Sequence, residues 1–531
     1  MGPIADPDSP ARLDNQALKR PHFLVNVLWS WLSVTVNIFV GLVLSPIIIR
    51  TLGEERYGVW ALVFALIDYY WFFDLGFNTA ITNFCARFRA GNEAEKLNVV
   101  INTALFYFAL IAVILGSLAV AAARNVQALF PRVSPAHSSE LSLLILIAGV
   151  SWAFFTILHV FTSALDGFQR FDLTSRSGSV AVLARSGGCV ALLMSGYGLV
   201  EMSLAAVAGQ LIGYLMNLLA FQRVFPQLRF SMTLVRRSML REMASYGLHS
   251  FLATTATVLL NQGPPLLIGR LRGMAEVGFF TLPTRLLQNA VDAVSRVGLV
   301  TRSDTAERDA LGKKASIFQL GVYSNRYCLA LFAPLGLFLM VYGRELIKVW
   351  ITPAYGANSG PLLAILAPAT GLVVAGQFNS SAILFGLGTH RRYAQALMAE
   401  AVLTLTGMLW VLPQYGIVGA AWVVGVSMLF VRGLYAPWLV CRSLNAGFLQ
   451  YMGGIYLRPL LAAIPIGLVL EAVKTNALAG TNWGELILAG SLTVVLFWGL
   501  AWYLVVEPAH RKIVFRSLGS RLPGFKKESN A

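Results

Sequence analysis

Ionisable side chains inside long apolar stretches are where chemistry is most legible in this chain. Arg285, Asn289, Asp292 and Arg296 follow one another at spacings of four, three and four, which stacks them on one face of a helix. Asp292 is placed to pair with Arg296 one turn on, leaving Arg285 as a net positive charge. A guanidinium in that setting receives an anion, such as a phosphate or a carboxylate, through paired hydrogen bonds. The competing role is an Arg–Asp–Arg network that only pins helices together.

Asp68 and Asp74 are six residues apart, and six residues turn a helix by about 240°, so the two do not share a face. Asp74 instead aligns with Tyr70 and Asn78. A desolvated aspartate is a site for exchanging H⁺ or binding Na⁺, with a salt bridge to an arginine as the competing role. Glu400 is a further ion-site candidate. Asn37 and Gln377 are amides that could meet a ligand's hydroxyls, as are Asn261, Gln262 and Asn379, although amides in such segments commonly bond helix to helix. Arg326 and Arg432 lie close enough to a segment end to snorkel. His159 and His249 read as packing residues.

Stepping out to the elements, 57% of the 531 residues are hydrophobic and 12% charged, against roughly 25% charged in soluble domains. Too few charges are present to cover water-soluble domains of this length. A bilayer core of about 30 Å needs roughly 20 apolar residues in a helix. Segments of that kind lie near 24–48, 58–80, 99–123, 141–165, 178–197, 200–222, 245–268, 276–299, 321–342, 360–386, 393–412, 417–440, 455–472 and 485–506. They lack period-two alternation, which argues for helices over a barrel. The expected fold is an all-α integral membrane protein of about fourteen transmembrane helices.

Charge sets the orientation. With a cytoplasmic amino terminus, 27 of the 41 Lys and Arg fall in inner segments, nine in outer loops and five within spans. That bias follows the positive-inside rule and puts both termini in the cytoplasm. The net charge of +16 is therefore orientation plus attraction to membrane lipids, and no nucleic-acid partner is implied. Cys85, Cys189, Cys328 and Cys441 lie far apart, so neither a metal site nor a disulfide framework is expected. The polar first 23 residues do not read as a signal peptide. There is no phosphate loop, HExxH or GxSxG, so catalytic residues, cofactors and enzyme activity are not expected.

The chain also repeats. Ile48, Arg50, Gly53 and Gly58 correspond to Ile268, Arg270, Gly273 and Gly278, and Tyr197-Gly198-Leu199-Val200 corresponds to Tyr415-Gly416-Ile417-Val418. Six spans map onto six, which predicts two lobes related by a pseudo-two-fold along the membrane normal, with two helices added at the carboxyl end. Such lobes commonly bind substrate between them and alternate access by rocking. The expected parts are a tail at 1–23, an N-lobe at 24–222, a cytoplasmic linker at 223–244, a C-lobe at 245–440, the added pair at 441–506 and a basic tail at 507–531. The basic, partly apolar linker and tail both read as helices lying in the headgroup layer.

The run Ser45-Pro46-Ile47-Ile48-Ile49-Arg50-Thr51-Leu52-Gly53-Glu54-Glu55-Arg56-Tyr57-Gly58-Val59-Trp60, with Phe73-Asp74-Leu75-Gly76-Phe77 and Tyr415-Gly416-Ile417-Val418-Gly419-Ala420-Ala421, resembles bacterial polysaccharide flippases and exporters. These form a branch of the multidrug/oligosaccharidyl-lipid/polysaccharide (MOP) superfamily. The resemblance spans about 24–510 and is strongest over 40–80. It implies a bacterial inner-membrane transporter that moves a lipid-linked saccharide, of the polyprenyl pyrophosphate type, outward by alternating access for cell-surface or exopolysaccharide synthesis. H⁺ or Na⁺ would be the coupling ion and other polysaccharide assembly proteins its partners. The alternatives are a drug or small-cation antiporter of the same superfamily, and a membrane polymerase or ligase acting on lipid-linked sugars.

Overall fold

The computed structural model describes residues 21–511, and no strand occurs among them. An apolar chain in hydrocarbon must pair each backbone N–H and C=O internally, and a helix does so within one segment. The helices are α1 (Pro21–Leu52), α2 (Glu54–Asp68), α3 (Phe77–Ala90), α4 (Ala94–Arg124), α5 (Pro135–Gly167), α6 (Phe171–Met194), α7 (Leu199–Val224) and α8 (Arg237–Leu271). Then follow α9 (Met274–Ala310), α10 (Lys314–Trp350), α11 (Pro353–Ala369), α12 (Phe378–Gly386), α13 (His390–Met428), α14 (Ala436–Leu444), α15 (Phe448–Asn476) and α16 (Trp483–Leu504). The protein is an all-α, multi-pass membrane protein.

All fourteen expected segments fall on this helical framework. Among the described residues, nine helices are long and apolar enough to cross a bilayer, or ten if the bent pair Glu54–Asp74 and Phe77–Ala90 is one span. Arg391–Leu444 counts once in that number, although a non-helical Gly416 divides it into two of the expected spans. Of α1, the stretch Phe39–Leu52 is a shorter apolar helix.

The helices divide into two compact units. The first runs to Arg56 and resumes over Val63–Phe251; the second is Tyr57–Leu62 together with the chain from Leu252 onward. In the first unit, Phe77, Phe84, Phe88, Phe155, Phe161 and Phe221 are all buried in one aromatic core. In the second, α15 and α16 lie against α10, where Ala330, Ala462, Ala489 and Ala501 are buried around Tyr342 and Phe497. Small side chains let such helices approach closely. The internal repeat is visible in the backbone: Gly53 (φ 86°) caps α2 and Gly273 (φ 123°) caps α9. Both lie in the positive-φ region that glycine alone enters without strain.

The linker differs from the expected headgroup helix. Residues 225–231 are not helical, a single 3₁₀ turn follows at Met232–Leu234, and α8 begins only at Arg237. The cause is a ladder of side chains on α4 that bonds the linker backbone. Asn98 donates to Gln227 O (3.0 Å) and accepts from Arg229 N (2.7 Å). Asn102 donates to Arg229 O (2.7 Å) and accepts from Ser231 N (2.9 Å), and Thr103 Oγ1 accepts from Arg236 N (3.1 Å). Amides one helical turn apart thus take every second residue of an extended strap. The amphipathic tail expected beyond Arg511 lies outside the described residues.

Arg326 does not snorkel. It is 5% exposed, donates from Nε to Gly454 O (2.7 Å) and pairs through Nη1 with Glu507 Oε1 (2.9 Å). Arg458 reaches the same oxygen at 2.6 Å, so Glu507, just past α16, ties together α10 and α15. Burial pushes the Glu507 carboxyl up, but the hydrogen bonds and charges of Arg326 and Arg458 outweigh it and leave it below the ordinary range.

Two expectations follow. Asn102→Ala frees the strap, raising hydrogen exchange at the Ser231 amide, with a loss of about 1–3 kcal/mol for the two bonds removed; unchanged exchange there would refute the ladder. Glu507→Gln lowers melting in detergent at neutral pH. Because the folded carboxyl is depressed, its contribution is present above the ordinary value of 4.5 and is lost as pH falls through the lower folded value. The difference between wild type and Glu507→Gln therefore shrinks on acidification, read by thermal melts across pH.

Candidate functional site

In the first unit the chain breaks where the sequence reads Asp74-Leu75-Gly76. Tyr69–Asp74 tightens into a 3₁₀ turn, Leu75 and Gly76 both take positive φ (47° and 77°), and the axis bends by 52° into α3. A leucine in that region is strained, and Asp74 helps to hold it. Its Oδ1 accepts from the Asn78 backbone N (3.1 Å) and from Asn78 Nδ2 (2.6 Å), which covers a donor the start of α3 would leave open.

Asn78 then carries the network onward. With Nδ2 committed to Asp74, its Oδ1 is the acceptor, taking Ser163 Oγ (2.8 Å) and His159 Nδ1 (3.1 Å). That assigns the His159 proton to Nδ1. Thr82 Oγ1 lies within hydrogen-bond distance of Asn78 O (3.1 Å) and Ser163 O (3.0 Å). At Gly167 a Cβ would stand 2.6 Å from Thr82 O, so glycine permits this approach of α3 to α5. Tyr107 stacks on Phe77 at 3.8 Å and donates to Phe73 O (2.8 Å), and Tyr70 donates to Gly149 O (2.6 Å). These bonds fix both sides of the break.

Two spaces meet at Asn78 and His159. The inner one, about 60 Å³, has Asp74, Tyr70, Thr156 and Tyr214 on its wall among Ile67, Phe108, Trp152 and other apolar groups. The outer one, about 680 Å³, is lined by polar side chains of α3 and of α5 and its end. An aspartate on the wall of a small cavity that shares Asn78 and His159 with a wider opening has the arrangement for taking up an ion or proton.

The remaining predicted residues are placed as follows. On α9, Arg285 and Asp292 are exposed and Asn289 is half-buried, and Asp292 Oδ1 accepts from Gln288 Nε2 (2.9 Å). The side chains of Arg296, Asn37 and Asp68 lie outside the described residues, as does that of His249. Gln377 is buried; it donates to Tyr456 (2.8 Å) and accepts from Ser380 (2.7 Å). It belongs to a network with Asn325, Asn379 and Tyr451. Glu400 has a fully buried side chain, and Arg432 Nε reaches its Oε2 at 3.0 Å; Oε1 has no hydrogen-bond partner. Arg432, read from sequence as snorkelling, is thus held in an ion pair within the second unit. It stands in a π-helical stretch, Leu429–Tyr435, a local rewinding frequent at functional sites.

Sequence reasoning missed the joint role of Asn78 with His159 and Ser163, which lie 81 and 85 residues further along the chain. The comparisons with known proteins now bear on this geometry. The polysaccharide biosynthesis protein family matches residues 23–298, just over half the chain. This chain belongs to that family. It is 22% identical over 503 residues to the uncharacterized membrane protein EpsK of Bacillus subtilis (strain 168), covering 93% of this chain and 97% of EpsK. To the putative O-antigen transporter of Shigella flexneri it is 20% identical over 427 residues, covering 78% and 97%.

Among solved structures, the lipid II flippase MurJ in an inward closed conformation matches with a TM-score of 0.71 at 12% identity, over 93% of this chain and 99% of MurJ. An inward-facing multidrug resistance MATE family transporter of the MOP superfamily matches at 0.63 and 15%, over 78% and 96%. These likenesses establish that this polysaccharide biosynthesis protein has the fold of MOP superfamily transporters.

Asn78→Ala should lower stability by about 2–3 kcal/mol, since Asp74, Ser163 and His159 each lose a bond. Thr79→Ala, one residue on but exposed, should melt like the wild type in detergent. Equal melting of all three proteins would remove Asn78 from its central place.

Proposed function

We propose that this protein carries a lipid-linked oligosaccharide or polysaccharide repeat unit, on a polyprenyl pyrophosphate type of carrier, from the inner to the outer leaflet of a bacterial inner membrane. It works by alternating access, with both termini cytoplasmic, and serves cell-surface or exopolysaccharide assembly alongside the other proteins of that process. The observation that carries this reading is membership of the polysaccharide biosynthesis family in a chain with at least nine apolar helices long enough to span. Likeness to a putative O-antigen transporter and the fold shared with a lipid II flippase support it.

Within this reading, Arg285 meets the pyrophosphate or an acidic sugar, with Asn289, Asp292 and Arg296 beside it. Asn37 and Gln377 are retained as contacts to the saccharide. Asp74, with Asp68 and Glu400 as further candidates, exchanges the coupling H⁺ or Na⁺. The fold shared with a MATE transporter favours a second reading, a drug or small-cation antiporter. A positive Arg285 on an exposed face argues against a cationic cargo, because like charges repel.

Deleting the gene in a strain with no redundant transporter and sorting labelled lipid-linked sugars by leaflet tests the proposal. Loss of outer-leaflet delivery is expected, and unchanged delivery would reject it. In the same assay Arg285→Ala should abolish transport and Arg285→Lys retain part of it, at matched expression.

A further inference from the structure

Helix α3 has two unlike faces. Phe77, Ala80, Ile81, Phe84, Cys85 and Phe88 are buried, while Asn78, Thr79, Thr82, Asn83 and Arg87 line the outer opening of about 680 Å³. Those five recur at helical spacing, so one polar stripe runs from the Asp74 break toward the end of the helix. Ser163, Asp166 and Gln169 face the same opening from α5 and its end. Of the ten residues that line it, Ala86 alone has an apolar side chain. Many of these side chains bond within the protein, yet Thr79, Asn83, Arg87 and Gln169 are also exposed at the wall.

The lining also selects its ligand. A phosphate is met by converging cations, and a metal ion by converging oxygens. Here one guanidinium, Arg87, is balanced by one carboxylate, Asp166, and the rest are amides, hydroxyls and an imidazole. Amides and hydroxyls both donate and accept, which is what a hydroxyl group on a ligand requires. The volume falls within the roughly 300–1,000 Å³ of small-molecule sites.

We propose that this opening is a vestibule for a neutral, hydroxyl-rich saccharide, contacted by Thr79, Asn83 and Gln169, separate from the Arg285 face. The proposal rests on the lipid-linked saccharide reading above and adds where the sugar part is gripped. Binding here leaves Asn78 and His159 shared between the sugar and the Asp74 cavity, so the deep network forms the floor on which the ligand sits.

The test uses the full chain carrying Asn83→Cys in membrane vesicles. Its four natural cysteines are all buried, so a charged, water-soluble methanethiosulfonate reports on position 83. Rapid labelling is expected. Lipid-linked saccharide extracted from transporter-deleted cells should slow it by about fivefold to tenfold, the effect of one or two hydrogen bonds' worth of occupancy, whereas polyprenyl pyrophosphate without sugar should leave it unchanged. In the leaflet assay, Thr79→Val combined with Asn83→Ala should cut delivery about tenfold, and Asn83→Gln should keep part of it. Absent labelling, equal protection by the sugar-free lipid, or normal delivery by the double variant overturns the vestibule while wild-type transport stands. A wild type that moves no lipid-linked saccharide overturns the transport reading, and the vestibule with it.

Discussion

A hydrogen-bonding group carried into hydrocarbon has to be answered by the protein or by water admitted to it, and the two units meet that demand in different ways. Two buried clusters of the second unit answer largely from within, although Glu400 Oε1 has no hydrogen-bond partner. Glu400 and Arg432 neutralise each other, and Asn325, Gln377, Asn379, Ser380 and Tyr451 bond among themselves with almost no exposure. The first unit answers through Asn78 and then opens, so that the same helix is buried on one face and lines an opening with the other. Buried pairs of this kind hold helices together, and side chains that border an opening also face whatever enters it.

The break at Asp74-Leu75-Gly76 makes this division possible. A continuous helix from Glu54 to Ala90 would rotate smoothly and keep a single direction. Two successive left-handed residues re-aim α3, and the Asp74 bond to the start of α3 offsets part of the strain at Leu75. The cost is placed where a carboxylate is wanted, which is common for strained backbone near sites of function. The motif therefore has a structural and a chemical use at once, since the oxygen that caps the helix belongs to the group that faces the inner cavity.

Much of the architecture could be read from the chain, because a run of about twenty apolar residues has few alternatives to a spanning helix. The repeat was readable too, through Gly53 and Gly273, whose positive φ explains why glycine stands at both places. The pairing of Asp74 with Asn78 was legible as an i, i+4 relation, yet it arises for another reason: residues 75 and 76 are not helical, and the contact is a cap. The polar stripe was lost to a boundary. The second span is expected to end near residue 80, but the helix continues to Ala90, so Asn83 and Arg87 lie beyond the expected boundary. Long-range relations such as Asn78 with His159, or Arg326 with Glu507, leave no local pattern. Arginine near a segment end looks the same in sequence whether it reaches water or a buried carboxylate.

Sharing residues between two spaces has a thermodynamic consequence. Asn78 and His159 line both the inner cavity with Asp74 and the wider opening. Any ligand in the opening that shifts either side chain changes the bonds available to Asp74, and any change in the charge of Asp74 alters how Asn78 presents its oxygen. Linkage makes such an effect reciprocal: whatever factor a ligand in the opening would apply to ion affinity at Asp74, an ion there would apply to the ligand's affinity. A coupled transporter needs that reciprocity, and a purely structural network does not. Asp74 and the polar stripe are thus joined through one amide, because Asn78 spends its nitrogen on the carboxylate and its oxygen on the groups that border the vestibule.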